Sequence, residues 1–482
     1  MYRYFDDNLF SEKYLENVDK SPSIWDTYCH IRPNSTETSN GDIACDSYNL
    51  WKEDVKIISD LGLDFYRFSI SWTRILPRGT PEYISKSGYR YYSNLIDALL
   101  ENGIEPVVTM YHWDLPQRFQ NMGGWANPLI SDWFADYSRV LFTLFGDRVK
   151  TWITLNEPFL LCLIEYSTEL GTGPADYDIG NFQCIKNSMI AHAKAWRVYD
   201  EEFKKKFKGR VGMTNLLVDL KPATKEDELV TQLAVEFYSG LFTYPIYSKT
   251  GGWPSAIENL LAQNSKKKGY RQSRLPAFTD EEKEFVRGTG DFIGMNYYTS
   301  KIVRTAKEHN FENNTILEDI PELNVILDSD PSWKKSCAYH LDQHPEGLRS
   351  MLSWIKKSFG DIEIVIFENG YATSASSLHD QDRVSFFKKH LEQVLLAIYE
   401  DKVNVTGFTV WSLMDVYEWM VGYKYKFGLY EVDFTSPSRT RTPRDSARYY
   451  KHVIRNRSID PPNDNYISDE LYLCYFFSLF HL

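Results

Sequence analysis

Seven short runs of β-type residues recur along the chain: FYRFSISW (65–72), EPVVTMYHW (105–113), TWITLNE (151–157), RVGMTNLL (210–217), DFIGMNYY (291–298), IEIVIFENG (362–370) and VTGFTVWSL (405–413). Between them lie longer stretches in which apolar residues return every three or four positions, such as GYRYYSNLIDALLENG (88–103), PLISDWFADYSRVLFTLFG (128–146) and DRVSFFKKHLEQVLLAIYE (382–400). The first period is that of strands and the second that of amphipathic helices. Near-continuous apolar runs such as IVIF fit strands covered on both faces. Their alternation with helices predicts an α/β fold with a parallel sheet.

The ends of the runs carry polar or aromatic groups. TWITL stops at Asn156-Glu157-Pro158, and IEIVIF stops at Glu368-Asn369-Gly370; His112, Asn296 and Trp411 close other runs. A doubly wound sheet gathers its ligand at one switch point. A (β/α)8 TIM barrel builds its site from the C-terminal tips of many strands. Polar tips on so many strands favour the TIM barrel, with one of its eight strands unaccounted for. Two strands that each deliver a glutamate suggest a pair of acids facing one substrate.

Composition narrows the partners. The 482 residues are 43% hydrophobic and 25% charged, enough for a sizeable core, and 15% aromatic with 13 Trp and 33 Tyr. Such an excess of flat side chains suits either a core or a cleft for sugar rings. A net charge of −12 argues against nucleic acid. The basic runs FKKKFKGR (203–210) and SKKKGYR (265–271) are short enough to be solvated helix ends or loops. Six cysteines show no ligand spacing, so no metal is expected, and their number does not decide the redox compartment. Asn34, Asn313, Asn404 and Asn456 open N-x-S/T triplets that permit glycosylation in a secretory pathway. The first 20 residues do not read as a signal peptide, and the apolar LYLCYFFSLFHL at the other end is too short to span a bilayer, so no membrane is expected.

The strings PSIWDTY, GDIACDSYNLWKEDV, YRFSISWTRILPRG, YHWDLPQ, TLNEP, DFIGMNYYTS, FENG and WSLMDVYEW, in this order, resemble glycoside hydrolase family 1, the retaining β-glycosidases, and most resemble its insect members. The resemblance runs from about residue 21 to 457 and implies three parts: a non-matching segment 1–20, a (β/α)8 domain 21–457 and a non-matching tail 458–482. It implies hydrolysis of β-glucosides or similar small glycosides through a covalent glycosyl-enzyme, with no cofactor. Glu157 is then the acid/base and Glu368 the nucleophile, about 5–5.5 Å apart. Glu157 should be held protonated in the resting enzyme and Glu368 ionised. Arg67 and Tyr298 would support the nucleophile. His112, Asn156, Asn296, Trp411, Glu418 and Trp419 would bind the sugar, with Asn156 on the 2-hydroxyl and Glu418 on the 4- and 6-hydroxyls. A Glu418 carboxylate would also repel a 6-phosphate.

The sequence departs from the family pattern at its start. The family's first strand, of the form F-x-x-G-x-A-T-A-x-Y-Q-I-E-G, is absent, and with it a Gln that holds the 3- and 4-hydroxyls. The first barrel strand is therefore expected to be missing or replaced, leaving two exposed strand edges and a poorly packed or helical segment before Ser21. Phe367, Val416 and Lys426 are smaller departures. Two alternatives remain: a catalytically silent relative that binds carbohydrate or a partner, and a thioglucosidase of myrosinase type. The plant thioglucosidases carry Gln at the acid/base position, where this chain keeps Glu157. The chain itself does not disclose a localisation; the family resemblance implies a secreted, extracellular protein if the N-terminus is truncated.

Overall fold

The computed structural model describes residues 15–16, 20–31, 40–166, 172, 176, 178–306, 318–338, 341–374 and 376–460. Seven parallel strands form its central sheet: β1 (Phe65–Ser69), β2 (Glu105–Tyr111), β3 (Thr151–Asn156), β4 (Arg210–Leu216), β5 (Ile293–Asn296), β6 (Ile364–Glu368) and β7 (Val405–Phe408). Their spatial order is their chain order. This is the arrangement of a barrel, in which each strand pairs with the next through a helical crossover. All seven runs read from the sequence contain a strand, but each strand stops short of its run. Residues just past the tips still bond to the neighbouring strand, as Leu217 N does to Asn296 O at 3.0 Å and Tyr297 N to Glu368 O at 3.0 Å. The largest difference is at 405–413, where the strand ends at Phe408 and Trp411 is held instead by its backbone N–H on Asn369 O, 2.9 Å away. At 65–72 the chain turns into a short helix from Trp72.

The helices that cover the sheet include α1 (Ser47–Leu61), α2 (Lys86–Glu101), α3 (Ile130–Phe145), α4 (Pro158–Tyr166), α5 (Gly180–Val198), α6 (Pro345–Phe359), α7 (Gln381–Tyr399) and α8 (Asp445–Asn456). Local sequence sets their ends. The Ser85 hydroxyl accepts from Gly88 N at the start of α2. Gly62, at φ 74°, closes α1 in the left-handed region that glycine enters without steric cost. Inside the sheet, Val107, Ile153, Phe292, Val365 and Phe367 pack together as a floor beneath the strand tips. Phe367, one of the departures from the family pattern, is part of that floor, and the Arg67 guanidinium lies 5.7 Å from the centre of its ring.

Among the described residues, β1 and β7 are the two ends of the sheet, and no strand joins them. Of the segment before Ser21, Leu15–Glu16 pairs in parallel with Ile84–Ser85, outside the barrel sheet. Leu15–Glu16 is thus extended rather than helical, and the rest of the expectation for that segment falls on 1–14 and 17–19, outside the described residues. A cavity of about 350 Å³ lies between the two end strands, lined by Phe65, Phe68, Thr409, Val410, Tyr450 and Ile454 among others. The C-terminal tail that the sequence sets apart lies outside the described residues from 461 onward. No helix among those described is long and apolar enough to cross a membrane.

Candidate active site

The two glutamates stand at the same end of the sheet, at the tips of β3 and β6, with β4 and β5 between them. Glu368 is the last residue of β6 and registers with Asn296, the last residue of β5. Asn296 registers in turn with Leu216 on β4. Glu157 follows β3 directly, with φ 45° and its backbone N–H on Thr214 O of β4 at 2.8 Å. A left-handed non-glycine residue is uncommon and costs about 1 kcal/mol or more. Here it turns the chain from strand into α4 while keeping the carboxyl inside.

A continuous hydrogen-bond network joins the two acids. Asn296 Nδ2 donates to Glu157 Oε1 at 2.7 Å and to Asn156 Oδ1 at 3.2 Å. Asn156 Oδ1 also accepts from Arg67 Nη2 at 2.7 Å, and Arg67 Nη1 donates to Glu368 Oε1 at 2.6 Å. The other oxygen of Glu368 accepts from the Tyr298 hydroxyl at 2.7 Å. Asn156 Nδ2 lies 3.0 Å from His112 Nε2. Because the Asn156 oxygen is already used by Arg67 and Asn296, its amide nitrogen donates there, and His112 Nε2 must accept as a neutral ring.

Burial sets the protonation states. Desolvation raises the pKa of the Glu157 carboxyl, and the nearby charge of Glu368 raises it further, against the lowering effects of Asn296 and Arg67. The expectation of a protonated Glu157 agrees with that direction. The His112 imidazole is pushed well down, first by burial and then by Arg67, in keeping with its neutral accepting role. Burial, then the charge of Glu368, lifts the Tyr298 phenol well above its ordinary value, so it stays a donor. Glu418 is pushed up to about 8, chiefly by burial. Burial thus disfavours the charged form of Glu418.

The opposite wall comes from the loop after β7. Trp411 Nε1 lies 3.5 Å from Glu418 Oε2, too far for a strong hydrogen bond. The His112 ring lies 5.8 Å from Trp411 and 5.7 Å from Trp419. Trp419 also packs on Trp113 at 4.6 Å and on Trp25 at 4.8 Å, so one edge of the wall is an aromatic cluster.

All ten residues named from the sequence are connected by these contacts: Glu157, Glu368, Arg67, Tyr298, His112, Asn156 and Asn296 by the network, and Trp411, Glu418 and Trp419 through the wall. Three more residues position them. Thr109 Oγ1 accepts from Arg67 Nε at 2.9 Å. Trp113 Nε1 donates to Asn156 O at 2.8 Å. Asp415 ties the 411–419 loop down: its oxygens accept from Gly428 N, Val432 N and both Arg444 terminal nitrogens, at full burial. Trp113 and Asp415 stand inside the quoted strings YHWDLPQ and WSLMDVYEW, and that position was the only available signal for them.

Acids at the C-terminal tips of two strands of one parallel sheet place the molecule among the α/β-barrel enzymes. Comparison with known proteins narrows the class: the chain belongs to Glycosyl hydrolase family 1, whose family model matches residues 15–459. It is therefore a glycoside hydrolase. Among curated relatives, Myrosinase 1 of Brevicoryne brassicae is 42% identical over 444 residues, covering 90% of this chain and 93% of the relative. The cytosolic beta-glucosidase of Homo sapiens is 39% identical over 449 residues, covering 92% and 94%. Among solved structures, an aphid myrosinase superposes with TM-score 0.85 at 41% identity, covering 92% of this chain and 95% of its own. A Thermotoga maritima beta-glucosidase in complex with castanospermine does so with TM-score 0.81 at 35% identity, covering 92% and 94%.

Proposed function

We propose that the chain is a retaining β-glycosidase acting on β-glucosides or similar small glycosides, with Glu368 as nucleophile and Glu157 as acid/base, and that residues 21–457 make up its catalytic domain. One observation carries this assignment: both Glu368 oxygens are held by donors, one of them cationic, while Glu157 is buried beside Glu368 with a neutral amide on one oxygen. In the first step a Glu368 oxygen attacks the anomeric carbon while Glu157 protonates the departing glycosidic oxygen. The glycosyl ester carries no charge on Glu368. The Glu368 charge, the second cause after burial of the raised Glu157 pKa, is then gone, so Glu157, having given its proton to the leaving group, stays ionised and takes a proton from the water that attacks the ester. Two displacements restore the original configuration.

The remaining roles follow from position. Arg67 and Tyr298 orient the nucleophile. Asn156, fixed by Arg67, Asn296 and Trp113, holds the 2-hydroxyl, where hydrogen bonds strengthen in the oxocarbenium-like state. His112 and Asn296 complete that side. Trp411 and Trp419 supply apolar faces to the ring. Glu418 stands to bind the 4- and 6-hydroxyls, and its protonated form, which burial favours, can both donate and accept.

The test is product stereochemistry by NMR with an aryl β-glucoside. Retained product is expected from the parent enzyme. Glu368→Ala should abolish hydrolysis, and any azide product should be inverted. Glu157→Ala should still form the intermediate from a good leaving group and yield retained glycosyl azide. Swapped outcomes reverse the two roles, and unimpaired activity in both variants removes them.

A further inference from the structure

We infer that this protein folds in an oxidising secretory compartment and is modified there by N-linked oligosaccharide at Asn404 and Asn456, on the barrel end remote from the two glutamates. Two independent observations meet in this reading. The first is a disulfide between Cys162 on α4 and Cys184 on α5, both fully buried, with Cα atoms 5.6 Å apart. Sequence spacing did not disclose it. Persistent disulfides belong to oxidising environments and are rare in the cytosol. Its formation takes two protons and two electrons from the pair of thiols, accepted by the disulfide of an oxidised dithiol carrier.

The second observation is where the acceptor triplets lie. Asn404 and Asn456 are both exposed. Asn404 directly precedes β7, so it stands at the N-terminal end of the strands. Asn456 is the last residue of α8, and the next residue, Arg457, pairs with Asp64 at 3.2 Å, one residue before β1. Both asparagines therefore occupy the same end of the barrel, whereas Glu157 and Glu368 stand at the other. A glycan is bulky and hydrophilic, and must project into solvent. On this end it does so without crossing the sugar-binding wall. In the transfer, Asn Nδ2 forms a bond to C1 of the first sugar and loses one proton. The bond from C1 to a lipid-linked pyrophosphate breaks, and the pyrophosphate leaves with the electron pair.

Full-length protein from its natural source decides the matter. Digestion with an N-glycosidase in ¹⁸O-water should convert Asn404 and Asn456 to labelled Asp. Asn404→Gln and Asn456→Gln, expressed in animal cells, should each lose one glycan's mass while kcat/KM is unchanged. Non-reducing peptide mapping should recover Cys162 and Cys184 in one linked species. Unlabelled Asn404 and Asn456 peptides overturn the glycan sites whatever the state of the cysteines. Alkylation of both cysteines without reductant, after denaturation, overturns the oxidising compartment.

Discussion

Arg67 Nη1 lies 2.6 Å from Glu368 Oε1, with only 7% and 5% of the two side chains exposed, and the other nitrogens of Arg67 are spent on Thr109 and Asn156. One planar cation thus fixes a carboxylate and the amide beside it. A lysine ammonium is a single point and cannot hold three acceptors in this plane. Arg67→Lys should lower kcat/KM about a hundredfold, on the order of 3 kcal/mol. Steady-state kinetics with an aryl β-glucoside test this, and a loss under fivefold refutes it.

The pH profile should report Glu157. The general acid must be protonated, so activity falls as pH rises through its raised pKa. The Asn296 hydrogen bond lowers that pKa. Asn296→Ala should therefore move the basic limb of kcat/KM to higher pH, whatever its effect on the plateau. Glu157→Gln should remove that limb for substrates with good leaving groups. A basic limb that moves the other way in Asn296→Ala counts against the assignment.

Asp415 and Arg444 are both wholly buried, 2.8 Å apart. Removing one partner leaves the other's charge unpaired in the interior. Asp415→Ala should cost roughly 3–5 kcal/mol by chemical denaturation. Because Asp415 also holds the backbone around Gly428 and Val432, the loop bearing Glu418 should loosen, and KM should rise more than kcat falls.

Glu165 on α4 is buried and lifted from 4.5 to about 8, chiefly by desolvation. Between those values the native state keeps a proton that the unfolded chain has released. Stability therefore falls as pH rises through the window, by at most ~5 kcal/mol from this group. Glu165→Gln cannot titrate. Its stability relative to the parent should rise from about pH 5 to about pH 8, measured by denaturant unfolding. A difference independent of pH refutes the neutral buried acid.

The two end strands, β1 and β7, lack a neighbour on one side among the described residues, whereas β2 and β3 are paired on both. Unpaired amides open and exchange more readily. Hydrogen exchange read by mass spectrometry should be faster at 65–69 and 405–408 than at 105–111 and 151–156. Equal protection would mean that the gap between the end strands is filled.

The sequence by itself determined the alternation of buried strands with amphipathic helices, and thus the parallel sheet. It determined that polar groups stand on many strand tips, because the period that buries a strand ends where those residues begin. Glu157, Asn156, Glu368, Asn296, His112 and Trp411 were legible this way, and the motif strings added Arg67, Tyr298, Glu418 and Trp419. Tertiary structure alone decided how these side chains are paired. Arg67 reaches Glu368 across 301 residues of chain, and Asn296 reaches Glu157 across 139. Such contacts depend on register and strand order, which local pattern does not encode. The raised pKa of Glu157 belongs to the fold for the same reason: burial and a neighbouring charge both come from residues distant in sequence. So does the Cys162–Cys184 bond, since spacing along the chain cannot tell which thiols two packed helices bring face to face.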